Sequence, residues 1–474
     1  MVESVPNVLA GRYASAEMVQ LWSPTRKIVF ERELWIAVLR AQRDLGLPIE
    51  AEAIDAYERT KEQVNLASIA DRERYLRHDV KARIEEFCEL AGYEHIHKGM
   101  TSRDLTENVE QMQIRASLVL VRDRFVKVLA QMAARAVEFE SLVMAGRSHN
   151  VAAQATTLGK RFANAGQELL CAVGRLEDLI ARYPLRGIKG PVGTQQDMLD
   201  LLQSKERLDQ LETTIARHLG FEKTLTNVGQ VYPRSLDFDV ISTLVQLASG
   251  PANLAKTLRL MAGQELATEG FKAGQVGSSA MPHKMNARSC ERVSGFTAIL
   301  GGHLAMVNAL LGDQWNEGDV SCSVVRRVAL PDAFFAIDGL SQTFFAILSE
   351  FGAYPAVIER ELSRYLPFLA TTKVLMTCVR AGMGREQAHE VIKEHAVAVA
   401  LEMREKGTTE NDLVQRLGND ARIPATTEQL QAVLANPLDF VGTARDQVRQ
   451  FAGQVEALTT RYPEALRYEP APIL

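Results

Sequence analysis

From Leu118 onward the apolar residues fall at Val121, Phe125, Val128, Leu129, Met132, Ala136 and Phe139. This three-and-four spacing, kept for about six turns, is satisfied by a long helix with one buried stripe. A second stretch, residues 236–261, carries Leu236, Val240, Ile241, Leu244, Val245, Leu247, Ala248, Leu254, Leu258 and Met261. Its apolar arc is wider than one stripe, so this helix is expected to be buried on several sides. Such burial needs either a thick bundle or a subunit interface. Gly250-Pro251 interrupts the pattern, and the sequence leaves open whether the helix kinks or breaks there. Strand signals are few, and residues 185–194 read as a short hairpin or an ordered loop. The expected fold class is all-α.

With 474 residues, the chain exceeds the size at which single cores stop growing. Soft boundaries fall near Asp104, before the long helices, and near Gly352-Ala353-Tyr354-Pro355. They divide the chain into three helical domains: residues 1–104, a central long-helix bundle at 105–354, and residues 355–474. In the last of these, 385–404 reads as an amphipathic helix, and Pro424, Pro437 and Pro463 punctuate a tail of shorter helices. Net charge is −5, which offers no long-range attraction to nucleic acid or anionic membranes. An anionic substrate therefore has to be held by a local cluster of arginine and lysine. Five scattered cysteines without CxxC pairing fit reduced thiols in a cytoplasmic protein. No signal-peptide pattern opens the chain, and no apolar run reaches transmembrane length. The histidine spacings match no metal site, so no metal and no cofactor are expected.

Polar residues concentrate at a few places where helices begin or end. Arg77-His78-Asp79 precedes a helical run from Lys81 to Leu90. His97-Lys98-Gly99-Met100-Thr101-Ser102-Arg103-Asp104 has the Thr101/Asp104 spacing of a capping box. A helix start of that kind also offers free N–H groups to an anion. Gly146-Arg147-Ser148-His149-Asn150 puts an imidazole beside an arginine, near what reads as another helix start. Ser323 to Arg327 ends in paired arginines, either a solvated turn or a clamp for phosphate or carboxylate.

The most specific stretch is Gly277-Ser278-Ser279-Ala280-Met281-Pro282-His283-Lys284-Met285-Asn286. Glycine lets backbone N–H groups approach an anion closely, and Lys284 is a candidate to stabilise a serine alkoxide acting as base. This run resembles the signature loop of the fumarase/aspartase superfamily. Arg12-Tyr13-Ala14-Ser15, Arg77-His78-Asp79, His97–Asp104, Gly146–His149, Gly229-Gln230-Val231-Tyr232, Glu291-Arg292, Ser323–Arg327 and Leu366–Thr371 extend the resemblance along nearly the whole chain, and the first two point to its adenylosuccinate lyase branch.

The resemblance implies a homotetramer whose central helices form a shared core, with each active site built by three subunits. It implies release of fumarate from adenylosuccinate, giving AMP, and from the succinylated aminoimidazole carboxamide ribotide, giving its carboxamide, in purine synthesis. It implies Ser278 as base and His149 as acid. Ser279, Lys284 and Asn286, with Thr101 and Ser102, would hold the succinyl carboxylates. Arg12, Tyr13, Arg292, Ser323 and Arg327 would hold phosphate and sugar, and Arg77, His78 and Asp79 would line the site. Gln230 would contact the succinyl or amide portion.

Three positions depart from the family pattern: Ala287 stands for proline, Ser148 for threonine, and Gly318 for an arginine in many relatives. The first two are mild; the third removes an anion ligand unless Arg326 supplies it. Argininosuccinate lyase and aspartase activities are the rivals within the enzyme class. A non-catalytic helical assembly protein is the rival outside it, although that reading expects His149 and Ser278 to have decayed.

Overall fold

The computed structural model describes residues 5–270, 281 and 283–470. The protein is all-α, with two short antiparallel β-pairs among the described residues. Five long helices form its centre. Ser102–Glu138 packs between Leu158–Arg182 and Cys322–Glu350. Leu158–Arg182 meets Ser235–Gly263, which meets Arg288–Asn308, which returns to Cys322–Glu350 and closes a ring. Of the predicted stripe, Leu118, Val121, Phe125, Val128, Leu129, Met132 and Ala136 face inward and are buried, whereas Phe139 caps the end of the helix and is half-buried. Residues 333–345 of the Cys322–Glu350 helix are buried without interruption, so neighbours surround that helix on every side.

The Ser235–Gly263 helix runs on through Pro251. Proline lacks the N–H that would bond back to the preceding turn. The reason for Gly250 lies across the interface: a Cβ there would stand 2.7 Å from the Ala165 carbonyl oxygen and 3.0 Å from Leu169 Cβ. Glycine lets this helix settle directly on the backbone of Leu158–Arg182.

The principal hydrophobic core runs from Leu9 through Ile358 and takes in Val448, Phe451 and Val455 of the Ala444–Arg461 helix, which folds back onto the bundle. A separate core lies between Val374 and Leu430. Among the described residues, no helix is long and apolar enough to cross a membrane.

Of the two forms expected for residues 185–194, the chain adopts the ordered loop: they run as irregular chain, tied to Thr224 by a single bridge at Leu185. A hairpin lies instead at Val143–Ser148 and Val151–Thr157. His149 is therefore at a turn between strands, and the helix start comes only at Leu158. Both turn residues, His149 (φ 52°) and Asn150 (φ 60°), are left-handed. This is the two-residue turn whose twist matches that of paired strands.

Replacing Gly250 with alanine should lower stability by about 1–3 kcal/mol, because the carbonyl in its way cannot retreat. Chemical denaturation of Gly250→Ala tests this, with Gly174→Ala, where a Cβ meets nothing within 4 Å, as the tolerated control.

Candidate active site

The Leu66–Leu76 helix ends at Arg77, whose left-handed backbone (φ 53°) turns the chain sharply. His78 then caps Asp79–Ala91 by accepting from the Lys81 N–H at Nδ1 (3.1 Å). Asp79 pairs with Arg83, which also reaches the buried Glu31. Arg77 and His78 are exposed on this corner.

His97 lies close enough to His78, Lys81 and Asp104 to feel their charges. It too is left-handed (φ 68°), a cost that non-glycine residues bear where the surroundings fix them. Trp35 donates its indole N–H to His97 Nδ1 (3.1 Å). The neutral ring must then carry its proton on Nε2. Burial pushes the His97 pKa down to about 4, which keeps the ring neutral at physiological pH. Its place in the polar stretch before Thr101 was legible in the sequence, but the indole bond and the backbone twist were not.

Thr101 is the N-cap of Ser102–Glu138, and its N–H donates to Asp104 Oδ2 (2.8 Å) as the capping-box spacing predicts. Asp104 also binds Arg186 (2.6 Å), and Arg186 reaches the Gly229 carbonyl (2.8 Å). The next residue, Gln230, donates its N–H to the Glu317 carbonyl (2.6 Å). Thr101, Ser102 and Gln230 are thus linked through buried polar groups of one chain.

Arg12, Tyr13 and Arg292 form a second group. The two guanidinium carbons sit 5.8 and 5.5 Å from the Tyr13 ring centre, and the ring edge meets Phe296. Gly339 permits this seat, since a Cβ there would come within 2.9 Å of Tyr13 Cβ. Guanidinium groups gathered around a phenol are suited to a phosphate.

His149 is exposed at its hairpin tip, above Arg147, which donates to the Asn150 carbonyl (3.1 Å) and pairs with Glu361. A cavity of about 550 Å³ beneath the hairpin is lined by Ser148, Gln154, Asn164 and Asn253. Lys284 and Asn286 border another, of about 1040 Å³, with Lys256, Arg259 and Tyr354. Leu260 contributes to both cavities. Ser278 and Ser279 lie outside the described residues.

Ser323 and Arg327 occupy the first turns of Cys322–Glu350, with Arg327 exposed. Arg326 is unavailable to a ligand. Its guanidinium is buried against Asp237 (2.7 Å), Glu110 and the Tyr232 hydroxyl. Burial alone would raise Glu110, yet the Arg326 charge holds its pKa below the usual carboxylate value. Of the paired arginines, only Arg327 faces solvent. Arg326 therefore does not stand in for the arginine that many relatives carry at the position of Gly318. Gly318 itself is left-handed (φ 130°), with Gln230 Cβ 3.1 Å from where a Cβ would stand.

A sequence profile described as lyase matches residues 17–301, and another described as adenylosuccinate lyase C-terminus matches residues 367–451. The adenylosuccinate lyase of Saccharomyces cerevisiae is 34% identical over 451 residues, covering 94% of this chain and 93% of its own. The chain belongs to the adenylosuccinate lyase family. The Schistosoma mansoni member is 31% identical, with 98% of each chain covered. Among solved structures, 3-carboxy-cis,cis-muconate lactonizing enzyme from Pseudomonas putida superposes with TM-score 0.80 at 18% identity, covering 96% of this chain and all of that one. Fumarate lyase from Mesorhizobium sp. BNC1 gives 0.77 at 21%, covering 94% and 99%. At these identities the two structures speak for the fold, which the adenylosuccinate lyase family shares with them.

The His97 geometry carries a pH dependence. The unfolded chain takes up a proton on this imidazole near pH 6.5, whereas the folded one resists until about pH 4. Stability is therefore lost as pH falls through that window. His97 contributes no more than about 2 kcal/mol of that loss between pH 7 and pH 5. Denaturation of wild type and His97→Gln at both pH values should show the slope reduced in the variant by that amount.

Proposed function

We propose that this chain catalyses the adenylosuccinate lyase reaction in purine nucleotide synthesis. It eliminates fumarate from adenylosuccinate to give AMP, and from the succinylated aminoimidazole carboxamide ribotide to give the free carboxamide. The observation that carries this reading is the 34% identity to the Saccharomyces cerevisiae adenylosuccinate lyase along nearly the whole of both chains.

In our reading, Ser278 removes a proton from the succinyl carbon beside a carboxylate. The resulting aci-carboxylate bears two negative charges on its oxygens and is accessible only where donors are fixed in advance. Lys284, Ser279 and Asn286 meet that need, with Thr101 and Ser102 on the other carboxylate. The electron pair then expels the nucleotide nitrogen, and His149 protonates it, a step worth roughly 10²–10⁴ in rate. Arg12, Tyr13 and Arg292, with Ser323 and Arg327, hold the phosphate and sugar. Arg77, His78 and Asp79 line the site, and Gln230 contacts the succinyl or amide portion. The reaction is redox-neutral and asks for no cofactor. We assign it to the cytoplasm.

We further propose a homotetramer with sites assembled from three chains, built on the domains 1–104, 105–354 and 355–474. Between Arg292 and Asp313 the sequence has no Lys, Arg, Asp or Glu. Within that stretch Gly295, Ala298, Ile299, Gly301, Gly302 and Ala305 are exposed on one chain. A Cβ at Gly295, Gly301 or Gly302 would meet nothing within 4 Å, so packing inside the chain does not require these glycines. A helix from another subunit approaching closely would. Val324 (72% exposed) and Val328 (46%) extend the uncovered apolar surface along the next helix.

Purified protein should release fumarate from both succinyl nucleotides, read by absorbance, while argininosuccinate and aspartate give none. Ser278→Ala and His149→Ala should each lower turnover by about 10²–10⁴ without changing helicity. Mixing the two inactive proteins under subunit exchange should restore part of the activity, because some hybrid sites then take both intact residues from different chains. No recovery despite proven exchange would place both residues in one chain.

A further inference from the structure

We propose that Arg186 is the positioning residue of this site, the buried strut that keeps the Thr101–Ser102 helix start and Gln230 in one fixed geometry. The assignment rests on the lyase reading above, which uses both groups.

The Arg186 side chain is fully buried. Nη1 donates to Asp104 Oδ1 (2.6 Å) and to the Gly187 carbonyl (3.2 Å). Nη2 points to the other side, at the Gly229 carbonyl (2.8 Å) and the Gly190 carbonyl (3.3 Å). One guanidinium therefore spans two segments that are more than a hundred residues apart in sequence. Each end stops next to a candidate substrate group. On one end, the second oxygen of Asp104 accepts the Thr101 N–H. On the other, Gly229 is directly followed by Gln230.

The frame around Arg186 is closely determined. Asp104 Oδ1 also accepts the N–H groups of Lys189 (2.8 Å) and Gly190 (3.0 Å). Asn108 exchanges two hydrogen bonds with Gly187, each 2.9 Å, and Gln111 accepts the Arg186 N–H (2.6 Å). Asp104, Asn108 and Gln111 share one face of the Ser102–Glu138 helix. They satisfy the backbone of the irregular 185–190 segment in place of a strand partner. Behind Gly229, a Cβ would collide with the Glu317 carbonyl, so this segment cannot be repositioned by small shifts.

Lysine cannot replace the fork. Its ammonium is a compact point, whereas the two guanidinium nitrogens reach opposite partners at once. Arg186→Lys keeps the charge facing Asp104 and releases the Gly229 carbonyl. A displacement of about 1 Å in a positioning group costs on the order of 10²-fold in rate.

The test uses the full-length enzyme and fumarate release from adenylosuccinate. Arg186→Lys should lower kcat/KM by about a hundredfold while the protein stays assembled. Arg32→Lys is the matched control, because Arg32 is equally buried and bridges Glu86 to the Thr60 and Lys61 carbonyls without touching a candidate residue. It should lower the melting temperature comparably and leave kcat/KM within threefold. A double-mutant cycle supplies the readout that simple destabilisation would not move. Arg186→Lys combined with Gln230→Ala should lose less than the product of the two single losses, since Arg186 acts through Gln230. Losses that multiply, or a folded Arg186→Lys within threefold of wild type, would overturn the proposal. If Arg186→Lys fails to assemble, Asp104→Asn enters the same cycle with Thr101→Ala. Failure of both variants to assemble would make the strut purely structural. Wild-type protein that releases no fumarate would refute the lyase reading itself, and this assignment with it.

Discussion

Three carboxylates on one face of the Ser102–Glu138 helix each meet an arginine from elsewhere in the chain. Asp104 takes Arg186 from the irregular 185–190 segment, Glu107 takes Arg234 at the entry to Ser235–Gly263, and Glu110 takes Arg326 from Cys322–Glu350. Asp237 and Tyr232 complete the last pair. These charges are largely shut off from water, where the desolvation cost can match the attraction gained. Their value is therefore better sought in register than in net stability. Each pair is satisfied in one relative placement of its two segments, and removing a partner leaves a buried charge exposed to that cost. The bundle gives the helices apolar faces that could slide, and the ladder stops them from sliding.

That division explains what could be read in advance. Apolar periodicity is local, and it located the long helices, the buried stripe from Leu118 to Ala136 and the wide arc around Leu244. Capping chemistry is local too, and Thr101 with Asp104 formed where the spacing placed it. The hairpin at residues 143–157 was missed because its strands carry small residues such as Ala145, Gly146, Ala152 and Ala153. They show little of the alternation that marks a strand. Its clearest signal was Asn150, a residue tolerant of the left-handed turn.

Arg326 shows the other kind of failure. From the sequence it sits beside Arg327 as one of a pair facing a possible anion. Only the fold reveals that Asp237, 89 residues away, has already claimed it. Long-range ion pairs of this sort leave no trace in spacing or composition. The same holds for Trp35 and His97, joined across 62 residues by a single hydrogen bond. Residues in motifs could be named from the sequence, whereas those that hold the motifs in place could not.

The Ala444–Arg461 helix lies across the groove between Ser102–Glu138 and Leu158–Arg182, where the Phe451 ring occupies the space a Cβ on Gly166 would need. During synthesis that groove emerges first, and its cover follows roughly 260 residues later. At ribosomal rates the interval is on the order of 10–50 s. Throughout it the nascent bundle carries an open apolar furrow in a crowded cell, and a chain cut short before Phe451 carries it permanently. The core between these two helices is thus completed by a segment far downstream in the sequence, so its burial is a late event in the life of each new chain.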